Sequence, residues 1–141
     1  MKKYKIGYTT GVFDLFHIGH LNILRRAKEE CDYLIVGVTT DDEVLRVKNK
    51  QPIIPFKERV EIVQALKCVD KAVPEDNVDK LVAWEEYKYN VIFKGDDWKG
   101  SSKWLKYEEE FSKRGVEVVY FPYTKGTSST QLREVLNKII I

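Results

Sequence analysis

Hydrophobic and polar positions along the chain alternate between two periodicities. A β-branched and aromatic run at residues 4–10 and a nearly continuous apolar run from Asp32 (DYLIVGVTT) are typical of strands, the second of a strand covered on both faces. Between them, in residues 18–30, apolar side chains recur every three or four positions, which predicts a helix. The pattern therefore predicts strands and helices in turn.

The same alternation continues to the end of the chain. Further helices are predicted at residues 41–47, 56–67, 77–87 and 103–113 and from about residue 128 onward, and further strands at 69–73, 91–95 and 116–121. Such an order implies right-handed crossovers and a mainly parallel sheet. We expect one domain, residues 1–141, with a Rossmann-like, doubly wound α/β fold: five strands and helices on both faces.

Four polar and unusual segments follow directly after predicted strands. They are TTGVFDLFHIGH, TTDDEVLRVKNK, KGDDWKGSS and PYTKGTSST. In parallel sheets ligands bind beyond the carboxyl ends of the strands, near the point where the strand order switches. We therefore expect these four segments to meet in space and to form the functional site.

The amino-acid composition limits the classes of partner that such a site is expected to bind. Lys and Arg number 24 against 22 Asp and Glu, so the net charge of +2 gives no general case for binding nucleic acid or an anionic membrane. No apolar run approaches the roughly 20 residues of a membrane span, and the first residues do not resemble a signal peptide. Cys31 and Cys68 have neither metal-site nor disulfide-framework spacing, which favours reduced thiols in a cytoplasmic protein.

Both histidines of the chain, His17 and His20, fall on one predicted turn at the start of a helix. Free N–H groups and the helix dipole favour an anion there, and imidazoles can donate hydrogen bonds to phosphate oxygens. Gly19 between them lets a ligand approach the backbone, while Asp14 is suited to cap the turn or to orient a histidine or a metal. A zinc pair and a purely structural pair are the alternatives, although H-x-x-H supplies only two zinc ligands.

GVFDLFHIGH resembles the GxFDxxHxGH signature of the nucleotidylyltransferase superfamily. KGDDWKG and the PYTKGTSST tail are similar to those of the glycerol-3-phosphate cytidylyltransferases and their relatives. The resemblance covers essentially the whole chain. It implies transfer of CMP from CTP to an alcohol phosphate with release of pyrophosphate, in a magnesium-dependent homodimer that supplies wall or capsule polymer synthesis.

The resemblance also implies roles for individual residues. It places His17 and His20 near the α- and β-phosphates, and Lys48 with them as a catalytic cation. It assigns the substrate phosphates to four basic residues: Lys48, Lys50, Arg59 and Lys67. Without the resemblance, Lys48 and Lys50 are typical of solvated lysines. Lys67 stands where relatives often carry arginine, and the two residues are not interchangeable.

The implied nucleotide-binding residues come from three segments. They are Thr10, Gly11, Phe13, Asp14 and Gly19 in the first, Gly95, Asp96 and Asp97 in the second, and Thr124, Gly126, Ser128, Ser129 and Thr130 in the third. The Gly-Asp pair is also ordinary turn chemistry, and the Ser/Thr run also suits a plain helix cap.

Three departures from the family pattern bear on substrate choice. Relatives usually carry arginine where this chain has Tyr123, so one phosphate contact is absent or supplied elsewhere. TSSTQLR, with Arg133, resembles the ending of adenylyltransferases, which keeps ATP open as the nucleotide. Val78 replaces a frequent tryptophan, which keeps choline phosphate, ethanolamine phosphate and other polyol phosphates open as the acceptor. A non-catalytic nucleotide-binding module is the remaining alternative.

Overall fold

The structure is a computed structural model that describes residues 2–122 and 129–140. Within them lie five strands: β1 (Tyr4–Gly11), β2 (Cys31–Thr39), β3 (Lys71–Glu75), β4 (Val91–Gly95) and β5 (Glu117–Phe121). The same residues contain six α-helices: α1 (Ile18–Glu30), α2 (Asp41–Lys48), α3 (Phe56–Gln64), α4 (Lys80–Tyr87), α5 (Ser102–Ser112) and α6 (Ser129–Ile140). A short 3-10 turn, Asp96–Trp98, follows β4.

The strands form a single parallel sheet in the order β3-β2-β1-β4-β5. Strand β1 pairs with β2 on one side, where Thr9 lies opposite Val36, and with β4 on the other, where Tyr8 lies opposite Ile92. The chain thus winds outward from β1 in one direction and then, from β4, in the other. The expected Rossmann-like α/β fold is confirmed, and its switch point lies between β1 and β4, where a ligand cleft is expected.

Helices cover both faces of the sheet and bury two separate hydrophobic clusters. On one face, α1 and α3 contribute Leu24, Ala27 and Val63 against the strands. On the other, α5 contributes Trp104 and Phe111, with partly buried residues of α4 around them. Burying apolar surface on both faces contributes most of the driving force for folding, and it explains why β2 is nearly all apolar.

Three predicted boundaries are wrong. Helix α3 ends at Gln64 rather than at residue 67. Strand β3 begins at Lys71, two residues later than the apolar run suggested, since the turn after α3 extends through Cys68 and the chain joins the sheet only afterwards. Helix α4 begins at Lys80 rather than residue 77, because the Asp79 side chain accepts a hydrogen bond from Leu81 N and caps it there.

Arg59 joins three loops beneath the carboxyl edge of the sheet. Its side chain is 1% exposed. The guanidinium donates to Val12 O at 2.6 Å, Thr39 O at 2.7 Å and Ile54 O at 2.8 Å, and it pairs with Asp41 at 2.6 Å. The expectation that Arg59 binds substrate phosphate is therefore wrong for this structure, because its donors point to the protein's own carbonyls and carboxylate.

We predict that Arg59→Leu destabilises the protein by about 3 kcal/mol, because three carbonyl oxygens, one buried and two partly buried, lose their donors and Asp41 loses its ion pair. Urea denaturation followed by circular dichroism measures the difference. Lys57→Leu, an exposed charge removal on the same helix, is the matched control and should change stability by less than about 0.5 kcal/mol. Equal stability of Arg59→Leu and the control would contradict this role.

Candidate active site

The two histidines cap the first turn of α1 reciprocally. His17 is the N-cap residue, and its Nδ1 accepts from Gly19 N at 3.0 Å. His20 stands three residues later, and its Nδ1 accepts from His17 N at 3.2 Å. The rings lie against each other with centroids 4.0 Å apart. This is the arrangement of a capping box, with imidazoles in place of the usual hydroxyl and carboxylate.

This capping fixes the tautomer of each neutral ring. A nitrogen that accepts a backbone hydrogen bond carries no proton, so in His17 and His20 the proton lies on Nε2. Nε2–H is the donor that remains for a ligand. The helix start thus holds two hydrogen-bond donors side by side without placing a positive charge on either ring.

The surroundings keep both rings neutral at neutral pH. Burial lowers the pKa of His17. Burial also lowers the pKa of His20 to about 4, with repulsion from His17 adding to the shift and the Asp14 carboxylate opposing it. Neutral donors suit a site that must bind and release a highly charged polyphosphate, because they stabilise developing charge without holding the product as a fixed cation would.

The chain reaches the histidines through a strained turn. Phe13 and Leu15 have φ values of 55° and 53°, in the left-handed region that bulky residues rarely adopt. Phe13 is buried, and its ring meets that of His20 edge to face, with centroids 5.5 Å apart. Packing thus holds the strained backbone, and strain of this kind clusters at functional sites.

A cavity of about 270 Å³ opens beside the histidine turn at the carboxyl end of β1. Its walls come from the strand end and the turn after it, from α1 and α2, from the loop after α2 and from α6. They are lined by Thr9, Thr10, Gly11, Val12, Phe13, Asp14, His20, Ile23, Val44, Lys48, Lys50 and Arg133. Of the four segments expected to meet, the first two do so here, and Arg133 brings the helix that follows the fourth.

Asp14 fastens the lysine loop over this cavity. Its carboxylate is 3% exposed and accepts from the backbone N–H groups of Ile53 and Ile54 at 2.8 and 2.9 Å. The same carboxylate forms an ion pair with Arg133. Asp14 therefore holds the loop that carries Lys50.

The cations of the first cavity crowd one another. Lys48 is exposed as a whole side chain, yet desolvation of its ammonium group lowers its pKa, and the charges of Lys50 and Arg133 lower it further. The charge of Glu75 opposes the shift. Grouped cations that lower one another's pKa are stabilised when an anion binds between them.

A second cavity of about 240 Å³ continues from the first across the switch point. The two share Thr10, Gly11, Val12, Val44 and Lys48. The second is otherwise lined by Thr39, Val47, Glu75, Val78, Lys80, Lys94, Trp98, Lys103 and Trp104. Two adjoining cavities with Lys48 between them suit a reaction between two phosphate-bearing molecules.

The sequence reasoning missed a buried polar group at the floor of the second cavity. Lys80 forms an ion pair with Glu75 at 2.7 Å and donates to Thr10 Oγ1 at 3.0 Å. Glu75 accepts in addition from Thr39 Oγ1 at 2.7 Å. Lys80 was placed inside a predicted helix that in fact begins at this residue. The signal that was available is the acidic Glu75 two residues after the predicted strand at 69–73.

The GDDW segment lies where it was expected, next to the switch point. Gly95 ends β4, and an added Cβ there would come within 2.7 Å of an Asp97 carboxylate oxygen. Asp96 and Asp97 are exposed in the 3-10 turn, and Asp97 lines a small cavity with Thr9 and Thr10. Binding of a nucleotide by these residues stays a prediction.

Three expected residues of the tail, Thr124, Gly126 and Ser128, lie outside the described residues. Ser129 and Thr130 are placed as the first residues of α6, and their side chains are not described. The backbone N–H group of Gly19 donates to His17 Nδ1 in the helix cap. Gly11 packs against the ring of Phe13.

Lys67 lies outside the two cavities of the cleft. It is exposed in the turn after α3, beside Leu21 and Arg25 of α1 and Cys68. Helix α3 ends at Gln64, and Lys67 lines neither of the two cavities at the switch point, so the structure does not support its predicted contact with substrate phosphate, which stays a prediction. Cys31 and Cys68 are free thiols, as predicted.

The described residues contain no group of three His, Cys, Asp or Glu side chains that could hold a metal ion. In that same part of the chain, no helix has the length and hydrophobicity of a membrane span.

Neutral imidazole donors at a helix start, a cluster of cations and two joined cavities at the switch point are the features of a nucleotidyltransferase. The family model described as cytidylyltransferase-like matches residues 8–135. The chain belongs to this family.

Characterised relatives agree with that assignment. The chain is 37% identical to the glycerol-3-phosphate cytidylyltransferase of Bacillus subtilis (strain 168), with 89% of this chain and 92% of that protein covered. It is 35% identical to the FAD synthase of Thermococcus sibiricus, with 99% and 95% covered. Among solved structures it is similar to the lipopolysaccharide core biosynthesis protein of Thermoplasma volcanium (TM-score 0.71, 27% identity, 88% and 99% covered).

The low pKa of His20 makes stability depend on pH. Unfolding raises this pKa from about 4 to about 6.5, so the unfolded chain binds more protons between these values and the free energy of unfolding falls as pH drops from 6.5 to 4. We predict that His20→Gln removes part of this fall, since glutamine keeps the capping acceptor but does not titrate. Urea denaturation at pH 7 and pH 4.5 measures it; an unchanged fall in the variant would contradict the burial of a neutral ring.

Proposed function

We propose that the protein transfers CMP from CTP to glycerol 3-phosphate, giving CDP-glycerol and pyrophosphate. An acceptor phosphate oxygen attacks the α-phosphorus of CTP. The new P–O bond forms as the bond from that phosphorus to the bridging oxygen of the β-phosphate breaks, and pyrophosphate leaves. The attacking oxygen is already an anion, so the protein supplies alignment and charge stabilisation rather than an activated nucleophile.

One observation carries this proposal: the capping box uses the Nδ1 atoms of both histidines and leaves each Nε2–H group without a protein acceptor among the described residues, with His20 in the wall of the first cavity and His17 stacked against it. Donors held in place before the reaction stabilise charge that develops on the α- and β-phosphate oxygens. Lys48 lines both cavities, which supports a contact with both the triphosphate and the acceptor phosphate.

The charge of the second cavity supports an acceptor with a neutral alcohol. Lys80, Lys94 and Lys103 line it, while its one carboxylate, Glu75, is paired with Lys80. A quaternary ammonium group is normally held by aromatic faces. Here the ammonium group of Lys94 already lies over both tryptophan rings of the cavity, which disfavours choline phosphate or ethanolamine phosphate and leaves polyol phosphates.

ATP is the second candidate nucleotide, with the FAD synthase similarity as its support. The similarity to the Bacillus subtilis cytidylyltransferase, at higher identity, favours CTP. Arg133 lines the first cavity beside Asp14, so it is available as a phosphate contact in place of the arginine expected at position 123.

We propose that Mg²⁺ enters with the nucleotide. Magnesium is usually bound through substrate phosphates, water and one or two carboxylates, which does not require a protein cage. The ion would neutralise charge on the leaving pyrophosphate. We also propose a cytoplasmic homodimer that supplies wall or capsule polymer synthesis; sedimentation at several concentrations tests the dimer.

We predict pyrophosphate release with CTP, glycerol 3-phosphate and Mg²⁺, and little with choline phosphate or with ATP. The measurement is pyrophosphate release from each pair of nucleotide and alcohol phosphate, with the CDP-alcohol identified by mass spectrometry and an EDTA control for the metal. Release only with ATP would contradict the choice of nucleotide. Absence of release with every pair would reject transferase activity and favour a non-catalytic nucleotide-binding module.

Variants that keep the cap separate catalysis from folding. His17→Asn and His20→Gln retain a side-chain acceptor for the capping hydrogen bonds but remove the ring Nε2 donor. Each should lower turnover on the order of 10²-fold, the scale of losing one preformed donor, and change the urea midpoint little. Near-normal turnover in both variants would remove the histidines from the mechanism.

A further inference from the structure

Lys94 is a half-buried charged side chain of the cleft whose described contacts are with aromatic rings. It is the fourth residue of β4 and lies in register with Tyr120 of β5. Its ammonium group lies 5.3 Å from the ring centroid of Trp98 and 5.7 Å from that of Trp104. Among residues 2–122 and 129–140, it has no hydrogen-bond acceptor and no carboxylate within ion-pair distance.

Lys80, another lysine of the same cavity, is by contrast fully compensated by hydrogen-bond acceptors. Lys80 is 7% exposed, and Glu75 and Thr10 accept its hydrogen bonds. Glu75 is thereby occupied by Lys80 and by Thr39. A half-buried ammonium group that contacts only aromatic faces is incompletely solvated, so an anion that reached it would stabilise the charged form.

Lys94 also occupies the junction of the cleft. It lines the second cavity and, with Thr9, Thr10 and Ile23, a smaller one of about 180 Å³. These three residues border the first cavity as well, where His20 lies. An anion at Lys94 would therefore sit next to the histidine site without occupying it, the position that an in-line nucleophile needs relative to the α-phosphorus.

We propose that Lys94 binds the phosphate monoester of the acceptor and is the residue through which this cleft selects a phosphorylated, uncharged alcohol. The proposal rests on the proposed function in that it assigns the acceptor's side of the same cleft. Two further lysines, Lys48 and Lys103, line the same cavity and, unlike Lys80, form no ion pair among the described residues, so the cavity matches the double negative charge of a phosphate monoester better than that of a single carboxylate.

The electrostatic surroundings of Lys94 support this reading. Burial lowers its pKa to about 8; Lys80 and Lys48 lower it further, and Asp97 and Glu75 oppose them. Lys94 is thus charged below pH 8 and becomes neutral above it. Acceptor affinity should be highest below that pH and should fall as the pH rises toward 9.5.

The test is calorimetric titration of glycerol 3-phosphate, with inorganic phosphate as a second probe, into protein saturated with a non-hydrolysable α,β-methylene analogue of CTP. Lys94→Met should weaken acceptor binding on the order of 10- to 100-fold, the scale of one hydrogen bond between charged groups, and leave affinity for the CTP analogue unchanged. Lys106→Met, an exposed charge removal on α5 outside every cavity described above, should change neither.

Lys94→Arg separates charge from packing. It should bind the acceptor and should lose the fall in affinity between pH 7 and pH 9.5, because a guanidinium stays charged there. A fall that persisted in Lys94→Arg would assign the titration to Lys48 instead and would count against the proposal.

Measurements of acceptor binding test the role of Lys94, and measurements of pyrophosphate release test the proposed function, so the two can fail independently. Wild-type acceptor affinity retained in Lys94→Met, equal weakening of the CTP analogue, or no binding of either phosphate probe by the wild type would each overturn the role of Lys94. If the wild type released no pyrophosphate with any substrate pair, the proposed function would fall, whereas loss of phosphate binding in Lys94→Met would still support the subsite.

Discussion

The site depends on one pair of hydrogen bonds, in which the Nδ1 atoms of His17 and His20 accept the backbone N–H groups at the start of α1. A helix must satisfy those N–H groups in some way, and most chains use a hydroxyl or a carboxylate that has no further role. Here the same bonds end on rings whose opposite nitrogen keeps a proton. The same two hydrogen bonds therefore cap the helix and leave two neutral Nε2–H donors for a ligand.

A second constraint is that the cleft gathers cations around the switch point and holds them with buried partners. Asp14 and Arg59 fix the loop that carries the lysines, and Glu75 holds Lys80 at the floor. These groups need not touch a substrate to matter, because they set where the free cations lie. The result is a region in which repulsion between cations disfavours the empty state and a polyphosphate relieves it.

The fold was accessible from the sequence because each element carries a clear period, two residues for strands or near 3.6 for helices, and because parallel crossovers admit few topologies. The histidine turn was accessible because both histidines fall within three residues at a helix start. Arg59 and Lys67 were assigned by resemblance of position. The position of Arg59 along its helix did not reveal that its guanidinium donates to three carbonyl oxygens of the protein. Nor did the sequence pattern reveal that the helix ends before Lys67.

Lys80 and Lys94 were missed for a different reason. Each is a lysine inside an otherwise ordinary element, and its role depends on residues distant in sequence: Glu75 for the first, Trp98 and Trp104 for the second. Such partnerships appear only once the strand order is known. Pattern reasoning locates the cleft, and packing decides which of many lysines belong to it.

The most direct measurement is a ¹⁵N–¹H multiple-bond NMR spectrum of the imidazole rings, since the chain has two histidines and both belong to the site. At pH 7 we expect two neutral rings protonated at Nε2, with Nε2 chemical shifts that change when a non-hydrolysable CTP analogue binds. Rings that were doubly protonated, protonated at Nδ1 or indifferent to the nucleotide would contradict this expectation.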